Sequence, residues 1–565
     1  MAEAVLRAAA PRLRLARDDI VMRALMCLIG AFLVITLVLP LWSMLSKSLE
    51  DHGGNFIGLA NYFEYFTTPA LVYSIQNSLT VALITTVISV SLAFVYAYAL
   101  TRSCMPFKGL FKALALIPLL VPSLLPGIAL VYLFGNQGMI KGLLFGNSIY
   151  GPIGIVIAEV FFTLPHAVMI LVTALSIADA RLYEAALSMR ASSLRIFFTV
   201  TLPGCRYGLI SAAFVVFTLT ITDFGAPKVI GGGFNVLATD IYKQVIGQQN
   251  FQMGAVVSVV LLIPAVFAFA VDRVVQRRQV ALLSSRAVTL VPQPSRGFDA
   301  TMFVCCLLLG GFLVGMIAVC QFAALVKFYP YDLSLSLRHY AFDRMDGGGW
   351  DAYLNSIEMA TWTALFGAVV VFFGAYLVEK GRGFHLGRAI FQLLAMMPMA
   401  VPGLVLGLAY IFFFNAPGNP LNVLYHTMTI LVLSTIVHFY TVAHLTAVTA
   451  LKQMDAEFEA VASSLKAPFY KTFWCVTVPV CLPAILDIVI YLFVNAMTTV
   501  SAVVFIYGPN TALASVAVLN MDDAGDIAPA AAMGMMIFYT AAGVRGLHFI
   551  IAWWLEQRTQ AWRRR

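Results

Sequence analysis

Charge is what this sequence has least of. Only 11% of its 565 residues are Asp, Glu, Lys or Arg, against 61% apolar residues and a mean hydropathy of +0.89. A soluble domain is about one-quarter charged and half apolar, so a water-solvated surface around one core is excluded and a polytopic membrane protein is indicated. Catalytic signatures are missing too: no G-x-x-x-x-G-K-[ST] phosphate loop, no H-E-x-x-H, no nucleophile elbow and no paired-carboxylate pattern occurs. G-R-G-F-H-L-G at 381–387 carries glycines without the dinucleotide-binding spacing. The chain is therefore expected to be no enzyme, with no catalytic residue, no metal site and no cofactor of its own. Its eight cysteines form no C-x-x-C pair, and most lie in or beside apolar runs, where they read as small core residues. The net charge of +8 is spread along short loops, a pattern that reports membrane topology and not nucleic-acid binding.

What is present is a set of apolar runs long enough to cross a hydrocarbon core of roughly 30 Å. They fall near 24–45, 77–100, 111–134, 153–177, 208–226 and 254–272, and again near 301–326, 356–378, 389–414, 427–450, 481–505 and 530–553. The expectation is an all-α protein of twelve transmembrane helices. Most Lys and Arg collect on one side if residues 1–23 form a cytosolic tail, which places both termini in the cytoplasm. No small-residue cleavage site follows that basic tail, so the first run reads as an uncleaved span.

The chain is written twice. Asp179-Ala180, Met189, Ala191, Phe197, Val200-Thr201 and Pro203 return 276 residues later as Asp455-Ala456, Leu465, Ala467, Phe473, Val476-Thr477 and Pro479. Asn77-Ser78 returns as Asn355-Ser356, Val121-Pro122 as Val401-Pro402, and Leu237-Ala238-Thr239 as Leu513-Ala514-Ser515. Each half has an even number of spans, so the two six-helix repeats lie parallel about an axis along the membrane normal and enclose a central path. The divisions are residues 24–272 as the first half, 273–300 as a cytosolic linker with Pro292 and Pro294, 301–555 as the second half, and 556–565 as a basic tail.

Several residues stand out within this frame. Pro122, Pro126 and Gly127 in the third span, and Pro402 and Gly407 in the ninth, interrupt helix hydrogen bonding and mark either a gate or kinks buried in packing. Thr218, Thr222 and Asp223 in the fifth span, with Asn495, Thr498, Thr499 and Ser501 at and beyond the eleventh, either line a polar path or serve helix packing. Glu159, His166, His438, His444, Asp487, Arg545 and His548 are ionisable groups inside apolar runs, each a candidate for substrate contact or for a buried bond. The loops after the fifth and eleventh spans are long and glycine-containing, open to a partner outside the membrane or simply structured.

The duplicated loops, 179–203 and 455–479, resemble the EAA loops of ATP-binding-cassette importer permeases. Glu184, Ala185, Ala186, Ala191 and Pro203 carry the resemblance in the first, and Ala462, Leu465, Ala467 and Pro479 in the second, where Glu459 stands one place early. Both copies depart from the usual glycine, with Arg190 and Lys466 in its place. The whole chain resembles fused two-half permeases of the ferric-iron and 2-aminoethylphosphonate kind, and the stretch from Phe458 to Asp526 looks most like the phosphonate branch. The resemblance implies a type I importer permease in a bacterial inner membrane. It also implies two cytosolic ATPase subunits carrying ATP and Mg, a periplasmic solute-binding protein, and a small polar cargo, 2-aminoethylphosphonate, with ferric iron as the alternative. An ion-coupled secondary transporter is the reading of a different class.

Overall fold

The computed structural model describes residues 17–559 apart from 282–287, 289, 382 and 456. The ends of both tails and part of the linker thus lie outside the described residues.

Long apolar runs become long helices because nothing in a bilayer satisfies a backbone polar group except the segment itself. Seven helices cross unbroken: Arg17–Lys47, Pro69–Arg102, Pro152–Ser176, Phe251–Val275, Arg296–Leu325, Gly349–Lys380 and Ile527–Leu555. Among the described residues five bent pairs are also long and apolar enough to cross, which brings the total to twelve if each pair is one span. The third, Lys108–Leu120 with Leu125–Phe134, turns by 101°, and the ninth, His385–Ala400 with Gly403–Phe414, by 112°. Both turns fall where Pro122 and Pro402 remove a donor and force the preceding residue into extended backbone. The fifth, tenth and eleventh spans bend by 64°, 56° and 77°. Among the described residues the only paired strands form a small hairpin, Val326–Phe328 against Asp332–Leu335, on the side opposite the duplicated loops.

The two halves exchange their first spans. Arg17–Lys47 packs on Gly349–Lys380, His385–Met396 and Gly403–Phe414 of the second half. Arg296–Leu325 packs on Pro69–Arg102, Lys108–Leu114 and Leu125–Phe134 of the first. The sequence divisions at 24–272 and 301–555 are therefore not the packing units. Each long connection lets a span reach the neighbouring half at little entropic cost, because loop closure grows only slowly with length.

The loops after the fifth and eleventh spans are structured. Gly225–Ile230, Leu237–Tyr242 and Ala514–Ala524 are short helices with mostly buried residues, wedged between spans.

Candidate functional site

The duplicated loops fold alike. In the first, Asp179 accepts from the Arg181 N–H at 3.1 Å and starts the helix Ala180–Ser188. That helix closes with Ala191 N–H donating to Ala186 O at 3.0 Å and Arg190 N–H to Leu187 O at 2.8 Å. In the second, Glu457 N–H donates to Asp455 at 3.0 Å to start Glu457–Ser464, and Ala467 N–H donates to Ala462 O at 3.0 Å to close it. This closure requires a left-handed residue one place past the helix end. Arg190 and Lys466 occupy it, with φ of 55° and 52°. The missing glycine is therefore replaced without loss of the turn, at a strain of about 1–2 kcal/mol in each copy.

Behind each helix the chain enters a π-helical turn, Phe197–Thr201 and Phe473–Thr477. Phe197 enters it against Phe94 and Tyr98, each at 5.9 Å, and Phe473 against Phe373 at 5.2 Å and Tyr376 at 4.8 Å. These sockets tie each loop to the second or eighth span, so a push on the loop moves a long helix.

The loops also present exposed apolar side chains, of which the resemblance named only Leu465. Met189 is 76% exposed and Leu465, its counterpart, 75%. Leu194 with Tyr470 and Phe198 with Trp474 are exposed in the same matched way. Burial must be read from the structure to find them, although the repeat offset already pairs them. Glu184 and Ala185 are exposed and Ala186 is buried, whereas the Glu459 side chain lies outside the described residues. Two other segments hold the loops: Phe469 N–H donates to Asp18 of the first span at 3.0 Å, and Ala180 N–H donates to Val288 O of the linker at 2.9 Å.

Deeper in the membrane, the end of the fifth span meets the break of the third. Asp223 ends Arg206–Thr222 in extended backbone and accepts from Ala226 N–H at 2.9 Å. The carboxyl group of Asp223 lies beside that of the fully buried Glu159, with Ser123, in the break of the third span, close to Asp223. Among the described residues neither carboxyl oxygen of Glu159 has a hydrogen-bond partner. In the second half Thr499 stands for Asp223 and Thr435 for Glu159. The remaining path candidates mostly bond their own helices: Thr222 Oγ1 donates to Thr218 O, Thr218 Oγ1 to Phe214 O, Thr498 Oγ1 to Val494 O and Asn495 Nδ2 to Tyr491 O. Thr499 is buried and takes a bond from Ser515 on its carbonyl.

A contact exchanged between halves locks both junctions. A Cβ on Gly225 would lie 2.1 Å from Ser123 Oγ, and a Cβ on Gly403 would lie 2.3 Å from Ser501 Oγ. Ser123 corresponds to Gly403 and Gly225 to Ser501, so each junction uses one glycine and one serine with the roles reversed. Gly127 is closed against Val229 in the same manner, at 2.8 Å, whereas a Cβ on Gly407 would meet Ala502 and Phe505 only at ordinary contact distance. Pro126 begins the outer arm of the third span, buried.

The end of the path away from the loops is shut. Lys228 of the first half pairs with Asp523 of the second at 2.8 Å and lies 5.0 Å over the Tyr242 ring. Tyr242 stands between Phe224 at 5.0 Å and Phe505 of the other half at 6.2 Å. Elsewhere, Asp487 and His548 meet across the eleventh and twelfth spans at 3.3 Å, while His444 stacks on Tyr440 in the tenth.

Comparison with known proteins agrees with this architecture. Residues 99–280 and 354–555 each match the family described as binding-protein-dependent transport system inner membrane component. The chain is 29% identical over 491 residues to the ferric transport system permease protein FbpB of Actinobacillus pleuropneumoniae, covering 83% of this chain and 69% of that one. It is 26% identical over 514 residues to a putative ferric transport system permease protein FbpB 1 of Haemophilus influenzae, covering 87% and 79%. A shorter likeness, 33% over 163 residues, links it to the molybdenum transport system permease protein ModB of Azotobacter vinelandii, covering 28% of this chain and 72% of that one. With the family's membrane domain present twice and spread over most of its length, this chain belongs to the binding-protein-dependent transport system inner membrane components.

Proposed function

We propose that this chain is a membrane permease of an ATP-driven importer whose cargo is ferric iron. The observation that carries the cargo reading is the fully buried Glu159 carboxyl, both oxygens without a hydrogen-bond partner, beside Asp223 and Ser123 where the end of the fifth span meets the break of the third. A hard cation prefers oxygen ligands, and two carboxyls with one hydroxyl leave most of its coordination sphere to water, as suits a site that passes its cargo on. The two FbpB relatives, named for ferric transport, support the same cargo. The resemblance of residues 458–526 to phosphonate permeases favours 2-aminoethylphosphonate as the second reading.

In this reading each half, 24–272 and 301–555, gives one loop to one cytosolic ATPase subunit. The loops' matched apolar side chains enter its surface groove, and a periplasmic binding protein delivers cargo at the closed end. The excess of Lys and Arg on the loop side supports cytosolic termini in a bacterial inner membrane. ATP and Mg act in the partner. Closure of the ATPases pulls the loops together, and Phe197 and Phe473 carry that movement to the second and eighth spans. The loops must bind the ATPases differently in the two states, since coupling equals that difference.

Uptake of radiolabelled ferric iron and of labelled 2-aminoethylphosphonate, in cells with and without the chain, tests the cargo. Loss of iron uptake on deletion, and again in Glu159→Gln and Asp223→Asn, is expected. Loss of phosphonate uptake alone overturns the ferric reading.

A further inference from the structure

A groove of about 560 Å³ opens between the exchanged seventh span and the second, third and fourth spans. Its wall includes Leu92, Leu133, Val156, Leu309 and Val319, and no charged or hydroxyl side chain lines it. Water needs two to four polar partners to occupy such a space, and a void this large against packed helices is strongly unfavourable. The groove lies within the membrane-spanning part of the molecule, where hydrocarbon is the solvent.

Its dimensions fit one leaflet. From Leu309 to Val319 the seventh span rises about 15 Å, half of the roughly 30 Å hydrocarbon core. The groove runs from mid-membrane to Phe134 and Ile140, on the side away from the duplicated loops. The next residue after Ile140 is Lys141, an exposed residue that follows directly on the mouth and whose ammonium donates to Asn136 O at 3.3 Å. An apolar slot one leaflet deep with a cation at its mouth is complementary to a phospholipid: the tail fills the slot and the phosphate meets the lysine.

We propose that this groove is a binding site for one phospholipid of the leaflet away from the duplicated loops, with an acyl chain wedged between the seventh span of one half and the core spans of the other. The lipid then forms part of the seam between the halves, and a rearrangement of the halves reshapes its site. The proposal depends on the membrane-spanning architecture and not on the identity of the cargo.

Gly315 lines the groove, and a side chain added there meets nothing within 4 Å. Gly315→Trp therefore fills the slot with the chain's own atoms, whereas Gly315→Ala leaves it open. Native mass spectrometry of the full chain, titrated with dioleoyl phosphatidylglycerol, reads the outcome. Wild type and Gly315→Ala are expected to hold one tightly bound lipid that Gly315→Trp lacks. Lys141→Glu, which lies outside the spans and spares the packing, is expected to weaken binding of this anionic lipid about fivefold or more. Equal lipid retention in Gly315→Trp and wild type overturns the proposal, as does a wild type that holds no lipid or an unchanged affinity in Lys141→Glu.

Discussion

The exchanged glycine–serine contact makes a quantitative prediction about how the two junctions hold. In Gly225→Ser the new Cβ would lie 2.1 Å from Ser123 Oγ and 3.0 Å from both the Leu124 nitrogen and the Ser123 carbonyl carbon. The hydroxyl can rotate, but the backbone cannot give without moving the break of the third span. Overpacking of this kind costs about 1–3 kcal/mol, and the upper part applies because backbone is involved. Ser123→Gly alone removes the hydroxyl beside Asp223, a loss of about 1 kcal/mol. Independent effects would sum to roughly 3–4 kcal/mol for the double variant. Ser123→Gly with Gly225→Ser, however, recreates the arrangement of Gly403 with Ser501, so the double variant is expected near 1 kcal/mol, a coupling of about 2 kcal/mol. Chemical unfolding of the four proteins in mixed micelles measures the cycle. A double variant as unstable as the sum of the singles would refute the idea that one contact was built twice with its partners exchanged.

Three further outcomes follow from the geometry. Arg190→Gly with Lys466→Gly relieves left-handed strain while raising unfolded-state freedom, so stability should change by less than about 1 kcal/mol. Partner ATPase coupling should lose about two- to fivefold and much of its salt sensitivity, and unchanged salt dependence would show that these cations do not touch the partner. Phe473→Ala empties the socket of Phe373 and Tyr376 and is expected to destabilise by about 3–5 kcal/mol, with ATPase activity in the assembled complex less responsive to cargo; a fully responsive complex would remove the socket from the coupling route. At the closed end of the path, burial, then the charge of Asp523, raise the Asp522 carboxyl to about 7, with Lys228 acting in the opposite direction. Its folded value lies above its unfolded one, so the folded protein binds the extra proton and stability should rise as pH falls from about 7 toward 4. Thermal unfolding across that range should show the slope in wild type and a weaker one in Asp522→Asn.

The sequence by itself determined the spans, the duplication and the bends of the third and ninth spans, because each depends on local chemistry; the bends of the fifth, tenth and eleventh spans were not legible in it. Run length against bilayer thickness gives twelve crossings, and Pro122 and Pro402 remove a backbone donor wherever they sit. The repeat offset paired the loops residue by residue. Tertiary structure decided what depends on neighbours far apart in the chain. The first and seventh spans are apolar on every side, so nothing local says which half they join, and packing sends each to the other half. Glu159 reads as one unexplained acid in an apolar run until the fourth and fifth spans bring it to Asp223, 64 residues on. Arg190 and Lys466 look incompatible with the turn that glycine usually makes there. The helix-closing hydrogen bonds around them hold both in the left-handed conformation, a balance of strain and bonding that residue type alone does not reveal. The loops after the fifth and eleventh spans read equally as a docking surface for an outside partner or as structured connections, and their apolar residues fold inward, because only in three dimensions is there an interior between the halves for them to fill.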